Sequence, residues 1–132
     1  MKNDKKWILM VEDDSTSRII LANQLHKKGF EVICAEDGEQ ALEVLKYCTP
    51  DCTLLDLMMP RMHGHAFLSL LREKDRDLPV IVMSTITDKP DLVATMEKIG
   101  IQGWIPKPFN PDEVEEKINE IISSNSITGR AS

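Results

Sequence analysis

The stretch Thr53–Gly64, TLLDLMMPRMHG, decides the reading of this chain. An apolar run ends in a single acid, Asp56, and a bend marked by Pro60 and Gly64 follows. A short apolar run halted by turn residues reads as a strand buried on both faces, the signature of a parallel sheet. An acid at the end of such a strand stands at the carboxyl edge of the sheet, where open α/β folds place their ligands.

Toward the amino terminus the same pattern recurs. Trp7–Val11 (WILMV) is a second continuous apolar run, and it stops abruptly at Glu12, Asp13 and Asp14. Asp14 or Ser15 can cap the next helix, which runs to about Lys28 and stops at Gly29. Phe30–Ala35 roughly alternates and reads as a strand nearer an edge. Asp37 and Gln40 have capping-box spacing. Ala41, Val44, Leu45 and Cys48 follow as one helix face, broken by Pro50. Cys52–Leu57 is then the third strand.

Toward the carboxyl terminus, Phe67, Leu70 and Leu71 form a helix stripe, and Pro79–Ser84 (PVIVMS) is a fourth strand rich in β-branched residues. Asp88 and Pro90 open a helix carrying Leu92, Met96 and Ile99, which Gly100 ends. Gln102–Ile105 is a short fifth strand, closed by Pro106 and Pro108. Asn110, Pro111 and Glu113 start a last helix that buries Val114, Ile118, Ile121 and Ile122. Residues 1–123 form one domain on this reading, and 124–132 a flexible polar tail or the start of a linker. Strand and helix alternate five times, which predicts a parallel sheet with helices on both faces and right-handed crossovers.

Composition narrows the function classes. A chain of 132 residues with 42% hydrophobic content holds one core. No apolar run reaches the length of a membrane span, so no membrane insertion is expected. The start MKNDKKWILMVEDD lacks a small-residue cleavage site, and the expected location is the cytoplasm. Cys34, Cys48 and Cys52 contain no CxxC pair and read as reduced, mostly buried thiols. A net charge of −6 without a Lys/Arg run argues against direct nucleic-acid contact and for protein partners.

Five polar groups follow the strand segments: Glu12, Asp13, Asp56, Ser84 and Lys107. Parallel strands end at one rim, so neighbouring strands one, three, four and five would gather all five groups. Three carboxylates there repel one another, at roughly 3 kcal/mol per pair for ~5 Å and an effective dielectric near 20. A hard divalent cation relieves this, and Mg2+ suits a site of carboxylates, water and phosphate oxygens. Such a cation also draws in a phosphorylated donor, Lys107 can neutralise charge on a transferred phosphoryl group, and Ser84 can donate to it. Taken singly, each group has a bland alternative: a solvated cap, a strand-end acid, a surface lysine. The combination favours the site.

VEDDSTSR, LLDLMMPRMHG, PVIVMS and GWIPKPF, in this order and at these spacings, resemble a response-regulator receiver domain of two-component signalling, chemotaxis regulators included. The resemblance covers about residues 7–123. It implies the flavodoxin-like fold with strand order 2-1-3-4-5, for which flavodoxin and a chemotaxis receiver are standard examples. It further implies Asp56 as phosphoacceptor for a histidine kinase or phosphotransfer protein. Asp13, Asp56 and the Met58 carbonyl would bind Mg2+ directly, and Glu12 through a water. Ser84 and Lys107 would contact the phosphoryl group, and the Lys107–Pro108 bond would be cis. Trp104 would stand at the switch position, on a face of the fourth helix, fifth strand and fifth helix that a downstream protein reads.

Some positions depart from the family pattern or leave a choice open. Trp104 replaces the usual Tyr or Phe, and a static, partly buried interface aromatic is the alternative to a moving one. Thr85 is a rival to Ser84. Met58 and Ile86 place apolar side chains where polar ones can orient an attacking water, which predicts slow self-dephosphorylation. His63 and His65 lack a third nearby ligand and read as solvent-exposed rather than as a metal pair.

Two enzyme readings fit less well. A haloacid-dehalogenase-like phosphatase would want an acid where Met58 stands. A flavin carrier would want a Ser/Thr/Gly phosphate loop where Glu12, Asp13 and Asp14 stand. The expectation is therefore a signalling protein that catalyses its own modification, not a metabolic enzyme, either standing alone or as one module of a longer regulator.

Overall fold

A computed structural model describes residues 5–56, 64–84 and 90–127. Ten elements alternate: β1 (Trp7–Val11), α1 (Ser15–Lys27), β2 (Glu31–Ala35), α2 (Gly38–Val44), β3 (Cys52–Asp56), α3 (Gly64–Lys74), β4 (Val80–Ser84), α4 (Pro90–Ile99), β5 (Gly103–Pro106) and α5 (Pro111–Ile127). The strands form one sheet in the order β2-β1-β3-β4-β5, and every pairing is parallel. The chain starts in the middle of the sheet, winds to β2, then reverses through β3 to β5. The reversal between β1 and β3 is the point where open α/β sheets leave a crevice.

Side-chain alternation along the strands builds two cores. Leu9, Val11, Leu55, Val80 and Val82 face Ala41 of α2, Phe67, Leu68 and Leu71 of α3, and Met96 of α4. Ile8, Met10, Cys52, Leu54, Ile81 and Met83 face Leu21 and Leu25 of α1 and Val114 and Ile118 of α5. β1, β3 and β4 are thus buried on both faces, which is why they read as unbroken apolar runs. β2 is an outer strand, as its alternation predicts.

The helix boundaries follow local chemistry. The Asp14 carboxylate caps α1 by accepting from Ser17 N at 2.8 Å. Gly29 has a φ of 101° and Gly100 a φ of 123°, and these left-handed residues end the paths of α1 and α4. At Gly100 the left-handed backbone would strain any side chain, and a Cβ would also press on Arg72 Nε at 3.3 Å. Asp37 accepts from Gln40 N, while Gln40 Oε1 accepts from Glu36 N, both at 2.8 Å.

Several expectations need correction. α2 ends at Val44 rather than near Pro50, because Lys46 N and Tyr47 N bond three residues back, to Glu43 O and Val44 O, and tighten the chain into a turn. Leu70 is exposed, and Leu68 takes its place beside Phe67 and Leu71. Cys34 is exposed and Cys48 half-buried; only Cys52 is buried, and burial pushes its thiol up to about 12. β5 is shifted one residue, with Gln102 N already bonded to Val80 O before the strand begins. α5 continues to Ile127, past the expected start of a tail at 124, since no Gly or Pro interrupts Ser123–Ile127. Leu57, Pro60 and Asp88 lie outside the described residues.

Candidate functional site

β1 and β3 are in register through the pair Val11 and Leu55, so the residues that follow, Glu12 and Asp56, leave the sheet side by side. Glu12 extends the sheet ladder by donating its N–H to Ala35 O at 3.0 Å. Its residue is 5% exposed and that of Asp56 4%, whereas Asp13 stands in solvent. One carboxylate oxygen from each of the three lies within 4.8 Å of the others. Burial pushes the Glu12 carboxyl up to about 7, helped by a hydrogen bond with Asp56 and the Asp56 charge. The Asp14 N–H and the Lys107 ammonium oppose that rise. Without a cation, the Glu12 carboxyl therefore keeps a proton up to about pH 7.

Lys107 reaches this group from the far side. Its Nζ lies 3.4 Å from Asp56 Oδ2 and 3.8 Å from Glu12 Oε1. The lysine follows β5 and is tied back to β4, because Lys107 N donates to Ser84 O at 2.9 Å. The Lys107–Pro108 bond is cis. Ser84 ends β4 and is 1% exposed. Glu12, Asp13, Asp56, Ser84 and Lys107 thus all stand at the carboxyl edge of the sheet, at the ends of β3 and β4 or immediately after β1 and β5.

The donor set is all carboxylate oxygen, hard and negatively charged, and it fits a hard divalent cation such as Mg2+. Among the described residues no nitrogen or sulfur ligand belongs to the cluster, which disfavours zinc or copper. Met58, Thr85, Ile86 and His63 lie outside the described residues; His65 is in α3.

Trp104 sits on β5, half-buried against the core beneath α3 and α4. It lines a cleft of about 220 Å3 with Pro106, Glu113, Glu116, Lys117 and Glu120. This places the indole at the outer edge of the sheet, beside α5.

Three contributors escaped the sequence reading. Arg18 reaches back from α1 to the carbonyls of Glu12 and Asp13. Arg72 on α3 donates to Gly100 O and Gln102 Oε1, and Gln102 Oε1 also accepts from Val80 N at 2.7 Å, which clamps α4 and β5 to the sheet. Lys28 ties α1 to Asp112 and Glu115 of α5. The only signal for Arg18 in the sequence is its place just over one helical turn beyond the acids.

A five-stranded doubly wound parallel sheet in the order 2-1-3-4-5, with an acid cluster and a lysine at its carboxyl edge, defines the flavodoxin-like class of α/β proteins. Within it the assignment is specific: residues 8–119 match the family model described as response regulator receiver domain, and the chain belongs to that family. It is 37% identical to the probable transcriptional regulator ycf27 of Porphyridium aerugineum, over 89% of this chain and 48% of that protein. It is 31% identical to the alkaline phosphatase synthesis transcriptional regulatory protein PhoP of Bacillus subtilis, over 96% of this chain and 52% of that protein. The chain thus spans about half the length of these curated relatives.

Among solved structures, the chemotaxis protein CheY4 of Vibrio cholerae superposes with a TM-score of 0.84 at 28% identity, covering 89% of this chain and 98% of that one. The signal receiver domain of a histidine kinase from Syntrophus aciditrophicus gives a TM-score of 0.83 at 26% identity, covering 96% and 95%.

The chain is therefore a receiver domain of the two-component response-regulator type. The expectation of no nucleic-acid contact finds no support here, because the longer relatives are named as transcriptional regulators. Among the described residues no helix is long and apolar enough to cross a membrane.

Proposed function

We propose that Asp56 accepts a phosphoryl group from the phosphohistidine of a cytoplasmic histidine kinase or phosphotransfer protein. The observation that carries this reading is Lys107 Nζ at 3.4 Å from Asp56 Oδ2, inside a cluster of three acids. An Asp56 carboxylate oxygen attacks phosphorus, the new P–O bond forms as the P–N bond to the donor histidine breaks, and the imidazole leaves with the electron pair and takes a proton from water. Glu12, Asp13 and Asp56, with the Met58 carbonyl, would hold Mg2+, which supplies charge neutralisation for the incoming phosphoryl group. Lys107 holds the phosphoryl oxygens once they are in place, and the Ser84 hydroxyl donates to them.

The modified residue then biases the surface. Ser84 and Lys107 are joined through Lys107 N and Ser84 O, so a pull on either is felt at the ends of β4 and β5. Trp104 lies three residues before Lys107, and the face of α4, β5 and α5 is the surface a downstream protein reads. Residues 1–123 act as the receiver module, and the greater length of relatives named as transcriptional regulators favours attachment to an output domain that contacts nucleic acid. Met58 and Ile86 make the phosphorylated form long-lived. Self-catalysed phosphotransfer, rather than turnover of a metabolite, is the chemistry of this site.

The test is incubation with acetyl phosphate and Mg2+, read by intact mass. Wild type should gain one phosphoryl group, and Asp56→Asn none. A gain that persists in Asp56→Asn would place the acceptor elsewhere. Rapid loss of the group from purified protein with Mg2+ would overturn the long lifetime.

A further inference from the structure

Arg18 has no part in the chemistry above, yet its side chain is only 14% exposed and its donors are committed. Nη1 donates to Glu12 O at 2.9 Å and approaches Asp13 O at 3.4 Å. Nη2 stands 4.0 Å from Glu36 Oε2, just beyond β2. The two carbonyls belong to the very residues whose side chains supply two of the three clustered acids.

The loop from β1 to α1 has few other restraints. Glu12 N is fixed on Ala35 O, and the Asp14 side chain caps Ser17. Between these points, Asp14 N donates to Glu12 Oε2 at 3.2 Å, a bond that uses a carboxylate oxygen of the cluster itself. The peptide planes following Glu12 and Asp13 decide where the Asp13 side chain is aimed. Arg18 grips both through their carbonyl oxygens, while its other terminal nitrogen faces Glu36.

We infer that Arg18 is a positioning residue for the metal: its guanidinium holds the Glu12 and Asp13 carbonyls from behind and so aims the acids at Asp56. This rests on the reading of the site as a Mg2+-assisted phosphoacceptor and deepens it. The work requires a planar fork. A lysine keeps the charge, but its single ammonium cannot span two carbonyls and a neighbouring loop in fixed geometry.

The experiment is Mg2+ titration by calorimetry on wild type, Arg18→Met and Arg18→Lys, with melting curves in metal-free buffer to establish that each is folded. Loss of such an outer support is expected to weaken Mg2+ binding about tenfold in Arg18→Met, with Arg18→Lys within about threefold of it. Arg18→Gln replaces the methionine variant if that one does not fold. With acetyl phosphate, the Mg2+ midpoint for Asp56 phosphorylation should move about tenfold while the rate at saturating Mg2+ stays within about threefold of wild type. Simple loss of folded protein would lower that rate without moving the midpoint.

Folded Arg18 variants with wild-type Mg2+ affinity overturn the inference. So does an Arg18→Lys protein that matches wild type while Arg18→Met is weak, since charge alone would then suffice. A wild-type chain that binds no Mg2+ defeats the phosphoacceptor reading itself, a result distinct from either of these.

Discussion

Glu12 shows how one side chain couples the site to pH. Its folded value of about 7 lies above the ordinary 4.5, because burial and the Asp56 charge disfavour the ionised form. Between these values the folded protein holds a proton that the unfolded chain has lost. Metal-free stability from this group is therefore full below about 4.5 and falls as pH rises toward 7. A cation must displace that proton, so apparent Mg2+ affinity should climb from pH 5.5 to about 7 and then level, with proton release on binding at pH 6. Calorimetry in two buffers of different ionisation enthalpy measures the release; an affinity flat across this range would remove Glu12 as the titrating group. Thr53 shows the opposite case, a polar group with no role at the site. It is fully buried in β3 between Leu9 and Val80, and its Oγ1 has no hydrogen-bond partner. Thr53→Val keeps the shape and removes the unpaired hydroxyl, so stability should rise by about 1 kcal/mol in urea unfolding.

At the scale of elements, helix ends carry much of the stability that can be tested cleanly. Glu113 N donates to Asn110 Oδ1 and Asn110 N to Glu113 Oε1, both at 2.9 Å, a reciprocal capping box. Asn110→Ala should cost about 1 kcal/mol, a fall in melting temperature of roughly 3–6 °C, while Asp56 phosphorylation in folded protein is retained. This element was legible beforehand because the cap is written within four consecutive residues, Asn110 to Glu113. β1, β3 and β4 were legible because burial on both faces leaves unbroken apolar runs, β2 because it alternates, and the acids and Lys107 because each closes or follows a strand. α2 was misjudged because Val44, Leu45 and Cys48 keep helical spacing while the backbone beneath them tightens into a turn. Arg18 and Arg72 were invisible for a different reason. Their partners are backbone carbonyls, Glu12 O and Gly100 O, and a carbonyl leaves no mark in a sequence.

At the scale of the whole molecule, the fold concentrates an electrostatic cost at one edge and leaves a cation to offset it. Asp56 and Glu12 are both buried, Asp13 is beside them, and among the described residues Lys107 is the cation that pairs with their carboxylates. Folding without metal therefore works against the repulsion among these acids, which the unfolded chain does not feel. A ligand that binds only the folded state stabilises it by an amount set by its concentration, about 1.4 kcal/mol at ten times Kd. For a domain of this size that raises the melting temperature by roughly 4–8 °C. Wild type should show this shift on adding Mg2+ at pH 7.5, and Asp13→Asn should show little of it. In metal-free buffer Asp56→Asn should melt higher than wild type, since it removes one of the repelling charges without emptying the core. Differential scanning calorimetry with and without EDTA reads all three proteins on one scale. If Asp56→Asn melts below wild type in EDTA, then Lys107 already balances the cluster, and the need for metal lies in the transfer step rather than in the resting fold.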